Sequence, residues 1–416
     1  MPQSGEGRMI LRARTVVTMD GPPIENGAIA IEGNQIVDVG RFDEIKTRID
    51  DEIVDLGEQV VLPGLINAHC HLDYTCLRGK IPAQESFTDW IRAINAAKEK
   101  LSPEDYIRSI GEGFAEAKKF GTTTIANLTA FPELIARIEA PIRTWWFAEL
   151  IDVREPQRAK EYVDLAVERL KPLKNWGLAP HAPFTASAEL YRRCEEVSQR
   201  ENILLTTHLA ESREEMSMFR DRNGALYEFL KSMGRDMSDC GAATPIARFA
   251  EIVRDSSTSL GTTDGWIVAH VNEVAESDFD LWAGSTTKFD VVHCPRSHNY
   301  FGHSPFQFER LRAPGFNICL GTDSLASNDD LSLFAEMREF QKNFPSVSPE
   351  DALKMITSNP AAALGKSTEL GCIRSGACAD LIALPLRSTG NIFEEIIAFE
   401  GAVSWSMIDG HTRETA

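Results

Sequence analysis

Two histidines one residue apart close an apolar run near the start of the chain, VVLPGLINAHCHLDYTCL, where His69 and His71 flank Cys70. In an extended strand, residues two apart share a face, so both imidazoles project together while Cys70 points away. Such a pair suits a divalent metal, because imidazole nitrogen is a preferred ligand of Zn²⁺. His208 in ILLTTHLAES and Asp323 in FNICLGTDSLAS also stand at the ends of apolar runs. Three nitrogens and one carboxylate oxygen leave a position for water, as a catalytic zinc requires. A lone histidine is more often a hydrogen-bonded structural imidazole. Four such residues, all at predicted strand ends, are not explained that way.

The elements that must position them form a repeating series. Eight apolar runs alternate with amphipathic, helix-like stretches: GLINAHCHL, GTTTIANLT, IRTWWFAELID, WGLAPHAPFTAS, ILLTTHLAES, GWIVAHVNE, FDVVHCPRSH and FNICLGTDSLAS. Segments such as SPEDYIRSIGEGFAEAKKFG and SAELYRRCEEVSQREN carry a serine N-cap and a Gly or Asn stop. Eight βα units predict a parallel sheet closed into a TIM-like (β/α)₈ barrel, with chemistry at the C-terminal strand ends. Polar residues gather at that edge, among them Asn127, Glu149, His181, Glu211, His270, His293 and His298. The stretch 213–263 exceeds a simple connection and is expected to cover the rim as helices. Residues 8–62 read as short strands with turn punctuation, and GCIRSGACADLIALPL and GAVSWSMIDGHTRE share that texture. The expected division is therefore 1–62 and 366–416 together in one small β-sandwich-like unit, and 63–365 in the barrel.

Composition excludes several classes. A chain of 416 residues, 43% hydrophobic, can bury a large core. Its net charge of -19 argues against nucleic acid and anionic membranes as partners. No apolar run is long enough to span a bilayer, and the N-terminus shows no signal-peptide pattern. Eight scattered cysteines without a C-x-x-C pair suit reduced thiols, hence a cytoplasmic location. Cys294, Trp145 and Trp146 read as packing residues. A homo-oligomer is left open.

The strand-end motifs GLINAHCHL, HLAES, IVAHVNE and GTDSLASN resemble those of the amidohydrolase superfamily, in order and at typical distances. PHAPFTAS and HLAES are similar to its branch of S-adenosylhomocysteine/methylthioadenosine deaminases, guanine deaminase and triazine hydrolases. The resemblance implies one divalent metal, Zn²⁺ or alternatively Fe²⁺, on His69, His71, His208 and Asp323. It implies that Glu211 shuttles a proton to a ring nitrogen, that His270 hydrogen-bonds the metal-activated water, and that His181 faces the substrate. Relatives with two metals use a carboxylated lysine at the end of strand four. This chain has LAPHAPF there, which favours one metal.

The implied reaction is hydrolytic deamination of an amino-substituted purine, nucleoside or related small heteroaromatic amine. Zinc lowers the pKa of its bound water to about 7, so that hydroxide can attack the ring carbon. Glu211 would supply a proton and Asp323 would accept one, assistance worth roughly 10²–10⁴-fold. The alternative is a triazine-type hydrolase removing chloride or a substituted amine; a catalytically dead scaffold is disfavoured because every candidate ligand is present. The strand-seven turn departs from the family pattern: HCPRSHNYFGH has His298 where many relatives carry asparagine. Arg296 and His298 thus become candidate contacts for a carboxylate or polar tail, with pairing of Arg296 to an acidic neighbour equally open. Trp90 could cover a flat ring, or could pack as an ordinary helix aromatic.

Overall fold

The computed structural model describes residues 7–255, 265–283, 288–385 and 390–413. Before the barrel come β1 (Arg8–Val16), β2 (Ile24–Glu32), β3 (Gln35–Arg41), β4 (Glu52–Asp55) and β5 (Gln59–Pro63). The barrel strands are β6 (Leu65–Cys70), β7 (Thr122–Thr129), β8 (Arg143–Leu150) and β9 (Trp176–Pro180), then β10 (Leu204–Leu209), β11 (Trp266–His270), β12 (Asp290–His293) and β13 (Ile318–Leu320). They pair in sequence order, each parallel to the next. Each falls within one of the eight apolar runs. All eight residues of β7 are buried, as expected of a parallel strand covered on both faces.

Closure brings β13 back to β6. The backbone N–H groups of Thr322 and Asp323 donate to the His69 carbonyl at 3.1 and 3.2 Å, and Cys70 bridges to Asp323. The approach is tight: a Cβ on Gly321 would lie 2.7 Å from the His69 carbonyl oxygen. A glycine is therefore required where the first and last strands meet. This seam places Asp323 beside the two histidines of β6.

The outer helices start and stop where the sequence indicates. Ser102 caps the helix Pro103–Lys119 in a capping box with Asp105. Ser187 caps Ala188–Glu201, which ends at Asn202 with φ 54°; asparagine tolerates that left-handed conformation.

The chain ends build one sheet. β14 (Leu381–Pro385), β15 (Trp405–Ile408) and β16 (His411–Arg413) extend the N-terminal strands in the order β16-β15-β14-β5-β1-β2-β3, with β4 against β1. β14 lies antiparallel to β5, pairing Ile382 with Leu62. β5 then passes through Gly64 into β6, which ties this sheet to the barrel. One segment differs from the strand-only expectation: Phe42–Arg48 is a short helix. Its single buried residue, Ile45, packs with Ile10, Ala28 and Ala30. Asp43 and Glu44 in its first turn and Lys46 and Arg48 in its last complement the helix dipole.

Helices Arg213–Met216 and Ala225–Ser232 cover the rim, whereas Pro245–Asp255 packs on the barrel wall, its Phe249 edge-on to Trp266 of β11; residues 256–263 of the expected cover lie outside the described residues. Among the described residues no helix is long and apolar enough to cross a membrane. All eight cysteines are free. Cys294, Trp145 and Trp146 are buried in the barrel core.

Candidate active site

At the C-terminal rim the strand ends deliver five histidines and three carboxylates to one place. His69, the last inward residue of β6, is fully buried and both its ring nitrogens lack a hydrogen-bond partner. Its Nε2 is 3.8 Å from Asp323 Oδ1. His71 Nε2 faces the same point, 3.1 Å from His208 Nε2 and 4.0 Å from Asp323 Oδ1. Nitrogens bound to one tetrahedral zinc at about 2.0–2.1 Å would stand about 3.3 Å apart. The His71–His208 separation fits that arrangement. Ligand atoms of His69, His71 and Asp323 lie within 4.8 Å of one another, as do those of His69, His208 and His270 and those of His71, Glu149 and His208. Buried polar atoms without partners are uncommon and point to an ion or water.

Supporting contacts aim these groups. His208 Nδ1 donates to the His181 carbonyl at 2.9 Å, which leaves its Nε2 lone pair for a metal. Asp323 Oδ2 accepts from Ser297 Oγ at 2.6 Å and Ser327 Oγ at 3.3 Å, so Oδ1 alone faces the histidines. Burial, with neighbouring imidazoles adding to it, lowers the pKa of His69, His71, His181 and His270 well below the usual histidine range. Neutral imidazole is the ligating form. Ala210, His270, Val271 and Asp323 have φ of 50°, 76°, 52° and 55°. Non-glycine residues in that region are strained, and such strain gathers at functional sites.

Glu211 follows β10 by two residues. It is buried, and its Oε1 lies 3.7 Å from His270 Nε2. Burial, then the charges of Asp323 and Glu215, raises its pKa well above the usual carboxylate value. Glu211 is not the cap of the following helix; Ser212 is, its side chain accepting from the Glu215 N–H. The fully buried Glu215 holds this corner, accepting from the backbone N–H of Ala210 at 3.2 Å and of Glu211 at 2.8 Å. Asn272 donates to the Glu211 carbonyl at 3.1 Å.

A cavity of about 190 Å³ opens above the cluster, with His71, His181, His208, Glu211, His270 and Asp323 in its wall. Its outer part is apolar, with Trp90, Ile91 and Ile94 from the helix Phe87–Lys98 facing Leu226, Phe229 and Leu230. Glu214 fastens the first of these helices over the rim, accepting from the N–H of Phe87 at 2.8 Å and of Thr88 at 3.3 Å. His181 Nδ1 pairs with Thr185 Oγ1 at 2.6 Å. Trp90 lines the cavity while packing edge-on against Phe301 at 4.9 Å.

Arg296 and His298 do not line the cavity. The Arg296 guanidinium pairs with Asp330 at 2.6 Å and Asp329 at 3.1 Å, on the outer side of the turn. His298 Nδ1 meets Asn272 Oδ1 at 3.0 Å. Burial lowers the His298 pKa to about 4, so the ring is neutral and supplies no cation. Sequence reasoning assigned no part to Ser297, Ser327, Glu215 or Glu214. Ser297 and Glu215 lie beside named residues in HCPRSH and ESREE, but their partners are visible only once the strands are assembled.

The family pattern of amidohydrolases matches residues 60–412, which includes every residue of this cluster. The chain belongs to the amidohydrolase family. As an amidohydrolase it is a metal-dependent hydrolase of carbon–nitrogen bonds, and the histidine–aspartate cluster is its candidate metal centre. It is 29% identical over 399 residues to the 5-methylthioadenosine/S-adenosylhomocysteine deaminase of Pyrococcus furiosus, covering 91% of this chain and 87% of that protein. In fold this amidohydrolase is similar to Helicobacter pylori aminofutalosine deaminase in complex with methylthio-coformycin, with TM-score 0.85, 19% identity and coverage of 97% and 100%. An adenosine deaminase from Xanthomonas campestris with bound zinc superimposes with TM-score 0.78 at 22% identity, covering 99% and 93%.

Proposed function

We propose that this amidohydrolase is a hydrolytic deaminase of an amino-substituted purine nucleoside or related heteroaromatic, releasing ammonia. The observation that carries the reading is the buried Glu211 carboxyl, 3.7 Å from His270 Nε2 and in the same cavity wall as the histidine–aspartate cluster. His69, His71, His208 and Asp323 would hold one divalent metal, for which zinc suits three imidazoles and one carboxylate. When bound, the metal supplies a water acidic enough to react at neutral pH. The deaminase names of the relative and the two structural neighbours support the substrate class.

In this reading Glu211 carries a proton to the ring nitrogen, which makes the amino group a leaving group. Its burial favours the protonated form needed to donate. Asp323 accepts the proton of the attacking water and passes it to the amino nitrogen, which leaves as ammonia. The hydroxyl added at the ring carbon returns its proton to Glu211 and becomes the carbonyl. The hydroxyls of Ser297 and Ser327 hold Asp323 Oδ2 still. His270 orients the water from the cavity wall. His181 and Trp90 contact the substrate, Trp90 from the apolar roof. The division into 1–62 with 366–416 and 63–365 is proposed with it. An ammonia-release screen over aminopurine nucleosides, aminopterins and free bases tests the reading. Release of chloride from a triazine, with no ammonia from any aminopurine, would replace it by the second chemistry.

A further inference from the structure

Glu149, the penultimate residue of β8, has no part in the reaction described above. Its side chain is only 5% exposed, and its Oε1 makes no hydrogen bond. That carboxyl group lies 3.8 Å from His71 Nδ1, while His71 Nε2 meets His208 Nε2 at 3.1 Å. The His71 ring lies nearly parallel to two others, His208 at 5.2 Å and 20° and Tyr74 at 5.9 Å and 19°. These near-parallel neighbours restrict the plane of the ring. They do not decide which nitrogen carries the proton.

A neutral imidazole has one N–H and one lone pair. We propose that Glu149 is a positioning residue for His71, keeping the proton on Nδ1 so that the Nε2 lone pair faces the metal. The inference rests on the metal reading of the cluster. His208 is served in the same way by the His181 carbonyl at 2.9 Å, and a metal-bound histidine generally donates its other N–H to a carboxylate or carbonyl. Glu149 differs in being a carboxyl group, whose ionised form would make the ring a stronger ligand. The 3.8 Å gap is longer than a hydrogen bond, and the proposal requires the pair to close when Nε2 is engaged. A second arrangement, with Glu149 itself a ligand beside His71 and His208, would turn Nδ1 of His71 to the metal.

Zinc affinity measured by chelator competition on wild type, Glu149→Gln and Glu149→Leu tests this. Loss of such a partner costs about 10–100-fold in metal affinity. Glu149→Leu should lie in that range. Glu149→Gln, which keeps an acceptor oxygen, should fall between it and wild type. Thermal melting of the metal-free proteins checks that each variant folds, and Glu149→Gln carries the test if Glu149→Leu does not. Zinc-loaded protein labelled with ¹⁵N-histidine should show His71 protonated at Nδ1. Affinities within twofold of wild type, or a His71 protonated at Nε2, would overturn the proposal. Wild-type protein that takes up no zinc would overturn the metal reading itself.

Discussion

The two ends of the barrel treat buried polar groups in opposite ways. At the C-terminal rim, His69 has no hydrogen-bond partner on either nitrogen, Glu149 has an unpaired oxygen, and four residues at or just past the ends of β10, β11 and β13 have positive φ. At the opposite end, where β8 begins, Arg143 is fully engaged. Its guanidinium meets Asp380 at 3.1 Å and Asp409 at 3.1 Å, and Asp380 also accepts from the Asp409 N–H at 2.7 Å. The first arrangement is costly unless something fills it. The second joins the barrel to the sheet of the chain ends. A barrel of this kind keeps chemistry at one face and stability at the other, so substitutions at the two ends should separate activity from folding.

The largest effect on activity should come from His208→Ala. Metal retention and turnover should disappear together, a fall beyond the roughly 10⁴-fold upper end of acid–base assistance. Metal analysis and ammonia release on one preparation check it. Glu211→Gln should keep its metal and still bind substrate, since the amide has a similar shape, while kcat drops by at least about 10²-fold. Near-normal turnover in that variant would remove Glu211 from the mechanism.

Arg143→Met should do the reverse. Removing one partner of a buried pair costs about 3–5 kcal/mol, and the partial exposure of Asp409 places the expected loss at the lower end of that range. The kcat per folded molecule should remain within about twofold of wild type, because no contact of Arg143 reaches the rim. Denaturant unfolding and kinetics together test the separation.

Glu215→Gln tests a residue that sits between the two behaviours. Both Glu215 oxygens accept backbone N–H groups, and an amide can satisfy only one of them. An unpaired buried group costs about 1–3 kcal/mol, and the Glu211 corner should shift, lowering kcat less than Glu211→Gln does. Burial pushes the Glu215 carboxyl up to about 8 from its ordinary 4.5. A raised carboxyl contributes stability that is full below the unfolded value and lost as pH climbs through the folded one. Stability of the wild type should therefore decline between about pH 4.5 and 8, and Glu215→Gln should flatten part of that decline. The smallest effect is expected from Trp90→Leu, which keeps an apolar roof and should raise KM with kcat little changed.

The barrel was legible because parallel strands buried on both faces are written as continuous apolar runs, and because their ends carry the histidines. His69, His71, His208 and Asp323 could be placed together from strand periodicity and barrel closure alone. The helix Phe42–Arg48 was not legible, since one buried residue in seven gives no periodic signal. Arg296 paired with Asp329 and Asp330 because a loop more than thirty residues later folds back on its turn, and nothing local to HCPRSH shows that. Glu149 was visible only as a polar strand end; its neighbour His71 follows a strand two places away in the sheet.

The central claim is that one metal at the rim makes this amidohydrolase release ammonia. Chelator-stripped protein, titrated with zinc while ammonia is measured from the best aminopurine substrate, tests it most directly. Activity should be absent from the stripped protein and rise linearly to a plateau at one zinc per chain. Ammonia release that survives stripping, or a plateau reached only at two metals per chain, would contradict it.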